Sequence, residues 1–229
     1  MNGSDLFSRE LLEAAEDYVG FLERGYPGKP LLQLVGNRYN LNRRQRHILF
    51  RGISTRNASE RRRARLIEKV CGKKVLLDAY NVLFTVMNHL LGNPLFLSSD
   101  GILRDVGDTR GRIHDHERFQ RAMELVCDWL TAQFPQAVVA VFDSPVSHSA
   151  EHAMAMKAYM QERNLGGDAD LARSADHVIK QCDGDVIATS DSIIIDATDL
   201  PVVDIPRLVL ESAFHPGFQD LSRHEGDVY

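Results

Sequence analysis

Four aspartates are spaced so that a chain of alternating strands and helices could bring them together: Asp78, Asp143, Asp176 and Asp191. Three of them close apolar runs, in Val75-Leu76-Leu77-Asp78, Val139-Ala140-Val141-Phe142-Asp143 and Ile187-Ala188-Thr189-Ser190-Asp191. In a parallel sheet the loops after the strands gather at one edge, where ligands bind. Asp176 falls in the first turn of a short helix that Ser174 could cap, just before the third of these strands. Carboxylates gathered this way repel one another unless their pKa values rise or divalent cations neutralise them. Hard oxygen donors favour Mg²⁺ or Mn²⁺, and such cations can activate water and stabilise the charge that develops in phosphodiester cleavage. Against this stands a bland explanation: Asp is common after a strand because it turns the chain and caps the next helix. One such Asp means little; three, with a fourth well placed, favour a shared site.

The elements that must hold these residues can be read from periodicity. Val75–Leu77 is a short apolar run suited to a buried parallel strand, as are 137–142 and 185–189, with a fourth strand at 202–205. Amphipathic helices are expected over about 115–134, from Ser147 as N-cap to about 163, and over 206–214. Ser98-Ser99-Asp100-Gly101 marks a hairpin turn, and Gly166-Gly167 a loop. Alternating strands and helices imply parallel pairing with right-handed crossovers. The expected fold is therefore α/β.

The first 74 residues read differently. Leu11, Leu12, Ala15, Tyr18, Val19 and Leu22 recur at helical spacing, and turn chemistry at 25–30 ends that helix. After a short apolar run, 31–35, helices are expected over about 42–51 and 59–70. Residues 1–74 hold 16 Lys+Arg against 8 Asp+Glu, and residues 75–229 hold 11 against 24. Such asymmetry points to a polyanion partner for the basic part, since acidic domains bind nucleic acid poorly unless carboxylates hold cations. Arg38, Arg43, Arg44, Arg46, Arg51, Arg61, Arg62, Arg63 and Arg65 are the candidate nucleic-acid contacts. Arg104, Arg110 and Arg112 could also meet phosphates, or be ordinary solvated charge.

Leu77-Asp78-Ala79-Tyr80-Asn81-Val82-Leu83 resembles the opening strand of the PIN-like nuclease superfamily, above all its NYN branch. Val141-Phe142-Asp143-Ser144, Ser174 to Ile179 and Ile187 to Ser192 continue the likeness in order, across about 75–205. The resemblance implies a metal-dependent ribonuclease, with Asp78, Asp143, Asp176 and Asp191 as metal-coordinating, catalytic carboxylates. It also implies that Asn81 and Ser190 position water or a phosphate. Ala79 departs from the more usual Gly, and Asp105, Asp108, Asp115 and Glu117 compete for the family's mid-domain acidic position. Asp168, Asp170, Asp183 and Asp185 lie near the motifs and could replace one of the four. The whole chain also resembles an uncharacterised prokaryotic family that joins a small basic N-terminal module to a PIN-like domain, a likeness carried by 34–46. It implies an architecture, not a substrate.

The expected organisation is a mainly helical basic module over 1–72, a PIN-like α/β domain over 73–214 and a polar tail over 215–229. The expected partner is nucleic acid, RNA by resemblance, with a homo-oligomer left open. An inactive PIN-like nucleic-acid-binding protein is the alternative, because a fold does not prove catalysis. A phosphatase of the haloacid dehalogenase type ranks lower, since Asp78 lacks a second Asp two residues on. Cys71, Cys127 and Cys182 form neither a disulfide framework nor a zinc spacing. His114-Asp115-His116 reads as surface, Cys127 and Cys182 as packing, and Met154, Met156 and Met160 as helix core. With neither a signal-peptide pattern nor an 18-residue apolar run, the expectation is a cytoplasmic protein with no membrane partner.

Overall fold

Val75, Leu76 and Leu77 present apolar side chains to both faces of their strand, so protein must cover both sides. The computed structural model describes residues 6–107, 113, 115–179 and 183–222, with the side chain of Asp176 outside that description. The first helices are α1 (Arg9–Glu23), α2 (Gly28–Arg38), α3 (Arg43–Gly52) and α4 (Arg56–Arg63). Then come β1 (Leu66–Ile67), β2 (Lys74–Asp78), α5 (Ala79–Leu90), β3 (Leu95–Leu97), β4 (Leu103–Asp105) and α6 (His116–Gln133). They are followed by β5 (Ala137–Asp143), α7 (Ser149–Glu162), β6 (Gly167–Ala172), α8 (Ala175–Ile179) and β7 (Val186–Ala188). Last are α9 (Ser192–Asp196), β8 (Val202–Val203), α10 (Ile205–Phe214) and β9 (Gln219–Asp220). Among the described residues no helix is long and apolar enough to cross a membrane.

The chain divides into two compact units. The larger comprises Arg65–Gly92 and Thr109–Pro216. It is α/β, with a six-stranded sheet in the order β1-β8-β7-β2-β5-β6 and every pairing parallel. Val75, Leu76 and Leu77 in β2 are fully buried, as are Val186, Ile187 and Ala188 in β7. The other unit comprises Met1–Ala64, Asn93–Asp108 and Gly217–Tyr229. Its core joins Leu11, Ala14 and Tyr18 of α1 to Leu31 and Val35 of α2, Ile48 and Leu49 of α3, Phe96 of β3 and Leu221. Asn42 starts α3 with a reciprocal cap: its side chain accepts from the Gln45 N–H, and the Gln45 side chain accepts from the Asn42 N–H, each at 3.0 Å.

Several elements differ from the periodicity reading. The segment after Pro27 is the helix α2, because Pro30 falls in the first turn, where N–H groups have no intrahelical partner. The helix expected over 59–70 stops at Arg63, and Leu66–Ile67 pairs with β8 instead. Helix α7 starts at Ser149 behind His148, whose φ is 64°, so Ser147 is not its cap. Gly167 begins the edge strand β6 rather than lying in a loop; its φ is 124°, and a Cβ there would overlap the Val138 backbone. Met154 is exposed, while Met156 and Met160 are buried as expected. Burial pushes the Cys127 thiol up to about 12 and its Sγ lies 3.7 Å from Met156 Sδ, consistent with packing. Cys182 lies outside the described residues. The segment after His215 is not all loose: β9 pairs with β3, and Leu221 enters the core.

The hairpin β3–β4 clusters with the N-terminal helices rather than with the α/β unit that flanks it in sequence. Asp100 at its turn is 1% exposed and pairs with Arg104 at 2.7 and 2.9 Å and with Arg62 at 3.2 Å. Burial alone would raise its pKa, but Arg104, Ser98 and Arg62 together hold the carboxyl well below the usual carboxylate range. A depressed pKa stabilises the fold above the unfolded value, roughly 3.9, and that contribution is lost as pH falls through the folded value. Asp100→Ala is expected to cost about 3–5 kcal/mol at pH 7, since it leaves buried guanidinium groups without their counter-ion. Urea unfolding should show the deficit shrinking as pH approaches 2.

Candidate functional site

The order of the large sheet reverses about β2. From β2 the chain moves outward through β5 to β6, then continues on the other flank with β7 and β8. Such a switch point opens a crevice at the carboxyl ends of the strands. Asp78 ends β2 there. It is level with Val141, so Asp143 continues the same face of β5 two residues on. On the other side Leu77 is level with Ala188, which places Thr189, Ser190 and Asp191 at the same edge.

Asp78 is 6% exposed, and its Oδ2 accepts from Thr189 Oγ1 at 2.8 Å. Burial pushes its pKa up to about 7, and the Asp143 and Asp191 charges push the same way. The Thr189 hydroxyl and the Asn81 backbone N–H oppose that shift. Asn81 Oδ1 accepts from the Ser190 N–H at 2.7 Å and from its hydroxyl at 2.9 Å, tying the start of α5 to the loop after β7. Thr189 Oγ1 in turn accepts from the Asp191 N–H at 3.1 Å. These bonds make one network out of segments about 110 residues apart.

Asp143 and Asp191 also do what an Asp after a strand ordinarily does. Asp143 Oδ1 accepts from the Ala175 N–H at 2.7 Å, at the start of α8. Asp191 Oδ1 accepts from the Ile193 N–H at 2.8 Å as the N-cap of α9. Each keeps one carboxylate oxygen without a partner among the described residues. Asp176 is in the first turn of α8, but its side chain lies outside the described residues. Among the described residues no three His, Cys, Asp or Glu side chains are drawn together closely enough to hold a metal ion. The acidic side chains placed at this edge, Asp78, Asp143 and Asp191, offer hard carboxylate oxygens, the donor type that Mg²⁺ and Mn²⁺ take.

Four of the competing carboxylates, Asp185, Asp168, Asp105 and Asp115, have partners of their own. Asp185 sits before β7, where its Oδ2 accepts from the Lys74 N–H at 2.8 Å, at the opposite end of the strands. Asp168 pairs with Lys157 at 2.6 Å, Asp105 with Arg51 at 3.1 Å, and Asp115 caps α6 through the Arg118 N–H at 2.9 Å. Asp170 and Asp183 are exposed, as is Glu117. Asp108, Arg110, Arg112 and His114 lie outside the described residues.

Two features were not visible in the spacing. Thr189 is the hydroxyl that contacts the buried carboxylate. Tyr80, next to Asp78's helix start, shares a 2.9 Å hydrogen bond with the buried Nδ1 of His152. Burial raises the Tyr80 phenol's pKa, with Asp143 adding to it. His148 lies beside His152 and His116, with ring centroids 6.5 and 6.1 Å away. Tyr80 and His152 are 72 residues apart in sequence, and nothing in a one-dimensional pattern announces that meeting.

The candidate nucleic-acid arginines divide. Arg38, Arg43, Arg44, Arg61 and Arg63 are exposed. Arg63 nevertheless donates to Ser99 O at 2.5 Å, and Arg38 stacks 5.8 Å from the Tyr39 ring centroid. Arg46 donates to Leu41 O and Asn37 Oδ1 at 2.8 and 2.9 Å, and Arg51 pairs with Asp105. Arg62 is buried against Asp100. Arg65, in the α/β unit, donates to Ile195 O at 2.9 Å and to Leu200 O. Arg104 is 2% exposed and cannot meet a phosphate.

Residues 67–208, more than half of the chain, match the model of a family described as a domain of unknown function, DUF5616. The chain belongs to the DUF5616 family. Residues 10–65 match a second model, described as a protein of unknown function, DUF434. This DUF5616 protein is similar to the uncharacterized protein MJ0935 of Methanocaldococcus jannaschii, at 28% identity over 204 residues, covering 87% of this chain and 96% of the relative. No solved structure matches. The junction between the two family models falls beside Ala64–Arg65, where the smaller unit's first segment ends.

Asp78 makes a pH prediction. A carboxyl whose folded pKa is raised stabilises most below its unfolded value, roughly 3.9, and that stability is lost as pH rises through the folded value near 7. In EDTA the parent should therefore weaken between about pH 4 and pH 7. Asp78→Asn should gain about 2–4 kcal/mol on it between pH 4 and pH 8, measured by urea unfolding across that range.

Proposed function

We propose that the chain is a metal-dependent nuclease, acting on RNA, whose PIN-like α/β unit hydrolyses phosphodiester bonds at the carboxyl edge of β2. The observation that carries this is Asp78: a buried carboxylate whose pKa is raised to about 7, partly by Asp143 and Asp191. A site that burdens its own anion in this way favours a cation. Asp78, Asp143 and Asp191 would hold Mg²⁺ or Mn²⁺, with Asp176 of α8 as the fourth ligand that the PIN-like resemblance implies. When bound, the metal would offset the carboxylate charge and supply Lewis-acid activation of water and phosphate.

The protein's own groups have separable tasks. Thr189 orients Asp78 through its hydroxyl. Asn81 holds the Ser190 N–H and hydroxyl in place, so the loop that carries Asp191 is set by α5. That makes Asn81 and Ser190 positioning residues. The exposed arginines of the smaller unit supply the phosphate attraction that the acidic unit lacks. RNA is preferred to DNA on the PIN-like resemblance.

A second reading has its own observation. Asp143 and Asp191 each use one oxygen on a helix start, and the described residues hold no ready-made metal group. That favours a protein that keeps the fold and binds nucleic acid without cleaving it. Purified protein with Mn²⁺, given single-stranded and structured RNA, separates the two. The nuclease reading expects product, and an Asp78→Asn/Asp191→Asn double variant slower by more than the roughly 10–100-fold that outer-shell partners cost. Equal cleavage by parent and double variant would sink it. Undiminished RNA binding in EDTA with no product under any metal would support the binding reading.

A further inference from the structure

The helical unit carries exposed aromatic rings where a solvated bundle needs none. Tyr26 is 56% exposed and Phe50 is 43% exposed. Tyr26 meets the ring of half-buried Phe21 edge-on, with centroids 5.6 Å apart. The Arg24 guanidinium lies 5.9 Å from the centroid of Phe21. Phe50 reaches the same neighbourhood from α3: a Cβ on Gly28, two residues after Tyr26, would sit 4.0 Å from Phe50 Cε2 and 3.8 Å from Leu22.

Phe50 also ends a stripe of positive charge. Arg43, Arg46 and Phe50 follow one another at helical spacing on α3, so they share a face. Arg46 lies over Gly36, and Phe50 beside Gly28, so this face runs along α2. From Phe50 to Arg43 it extends about 10 Å. The result is an aromatic patch at one end and an exposed arginine at the other.

Stacking rings beside a guanidinium stripe are the recognition chemistry of unpaired bases. Every base offers a π-face to an aromatic side chain, while the backbone tracks a positive groove. In a duplex those faces are already stacked, so a duplex can engage the arginines but not the rings. The charge that complements a polyanion is local to the helices: residues 1–64 of this unit hold 12 Lys+Arg against 7 Asp+Glu, while its other two segments, 93–108 and 217–229, hold 2 against 6.

We propose that Tyr26, Phe50 and Phe21, with Arg24 and Arg43, form a base-stacking platform that selects single-stranded RNA. This deepens the nucleic-acid reading above and rests on it. It does not rest on catalysis.

The test is fluorescence anisotropy of the full-length protein in EDTA, with a labelled single-stranded RNA and a duplex of equal length. The single strand should bind more tightly. Tyr26→Ala and Phe50→Ala should each weaken it by about 5- to 150-fold, the range for losing one stacked base. Tyr26→Phe and Phe50→Trp should restore binding, which excludes mere loss of folding. Arg43→Ala should weaken both RNAs and reduce the single-strand salt slope by about 0.7 for each phosphate that Arg43 neutralises. If the aromatic variants bind like the parent while Arg43→Ala weakens binding, the platform fails and the basic module stands. Duplex binding equal to or tighter than single-strand binding also overturns the platform. No RNA binding by the parent at low salt overturns both readings.

Discussion

Burial of β2 on both faces is the constraint on which the α/β unit depends. A strand of Val75, Leu76 and Leu77 has no face that can meet water, so it must lie in the middle of a sheet with parallel neighbours on either side. That requirement brings the ends of β5 and β7 beside the end of β2. It also puts Asp78 at the buried last position of that strand, where a carboxylate cannot be well hydrated. The same apolar run that stabilises the sheet therefore creates the electrostatic problem at its edge.

The network at that edge is a response to it. Thr189 gives Asp78 a hydroxyl, and Asn81 locks the β7 loop through two acceptor bonds to Ser190. Asp143 and Asp191 are held by helix starts, which limits how far they can turn. The result is an edge whose carboxylate, hydroxyl and amide oxygens are fixed by hydrogen bonds to α5, α8 and α9.

The smaller unit shows how a basic segment divides its charges. Arg62 and Arg104 neutralise Asp100 at a buried hairpin turn, and Arg51 neutralises Asp105. Such arginines serve the fold, because a guanidinium fork satisfies several buried acceptors at once. Runs of arginine offer no means of separating these from the exposed ones. The separation depends on the β3–β4 hairpin, which comes from far along the chain.

Local pattern alone determined much of this protein. Apolar runs marked β2, β5 and β7, helical spacing marked α1, α3, α6 and α10, and Asp-Gly marked the hairpin, because each signal lies within one turn or one strand. The aspartates at the strand ends were legible for the same reason. The folded chain set the partners that lie far apart in sequence. It assigned Arg62 and Arg104 to Asp100, Arg65 to the α/β unit, Leu221 to the helical core, Tyr80 to His152 and Thr189 to Asp78. It also turned Leu66–Ile67 and Gly167–Ala172 into edge strands, since an edge strand has too few buried positions to show its period and is defined by the neighbour it pairs with.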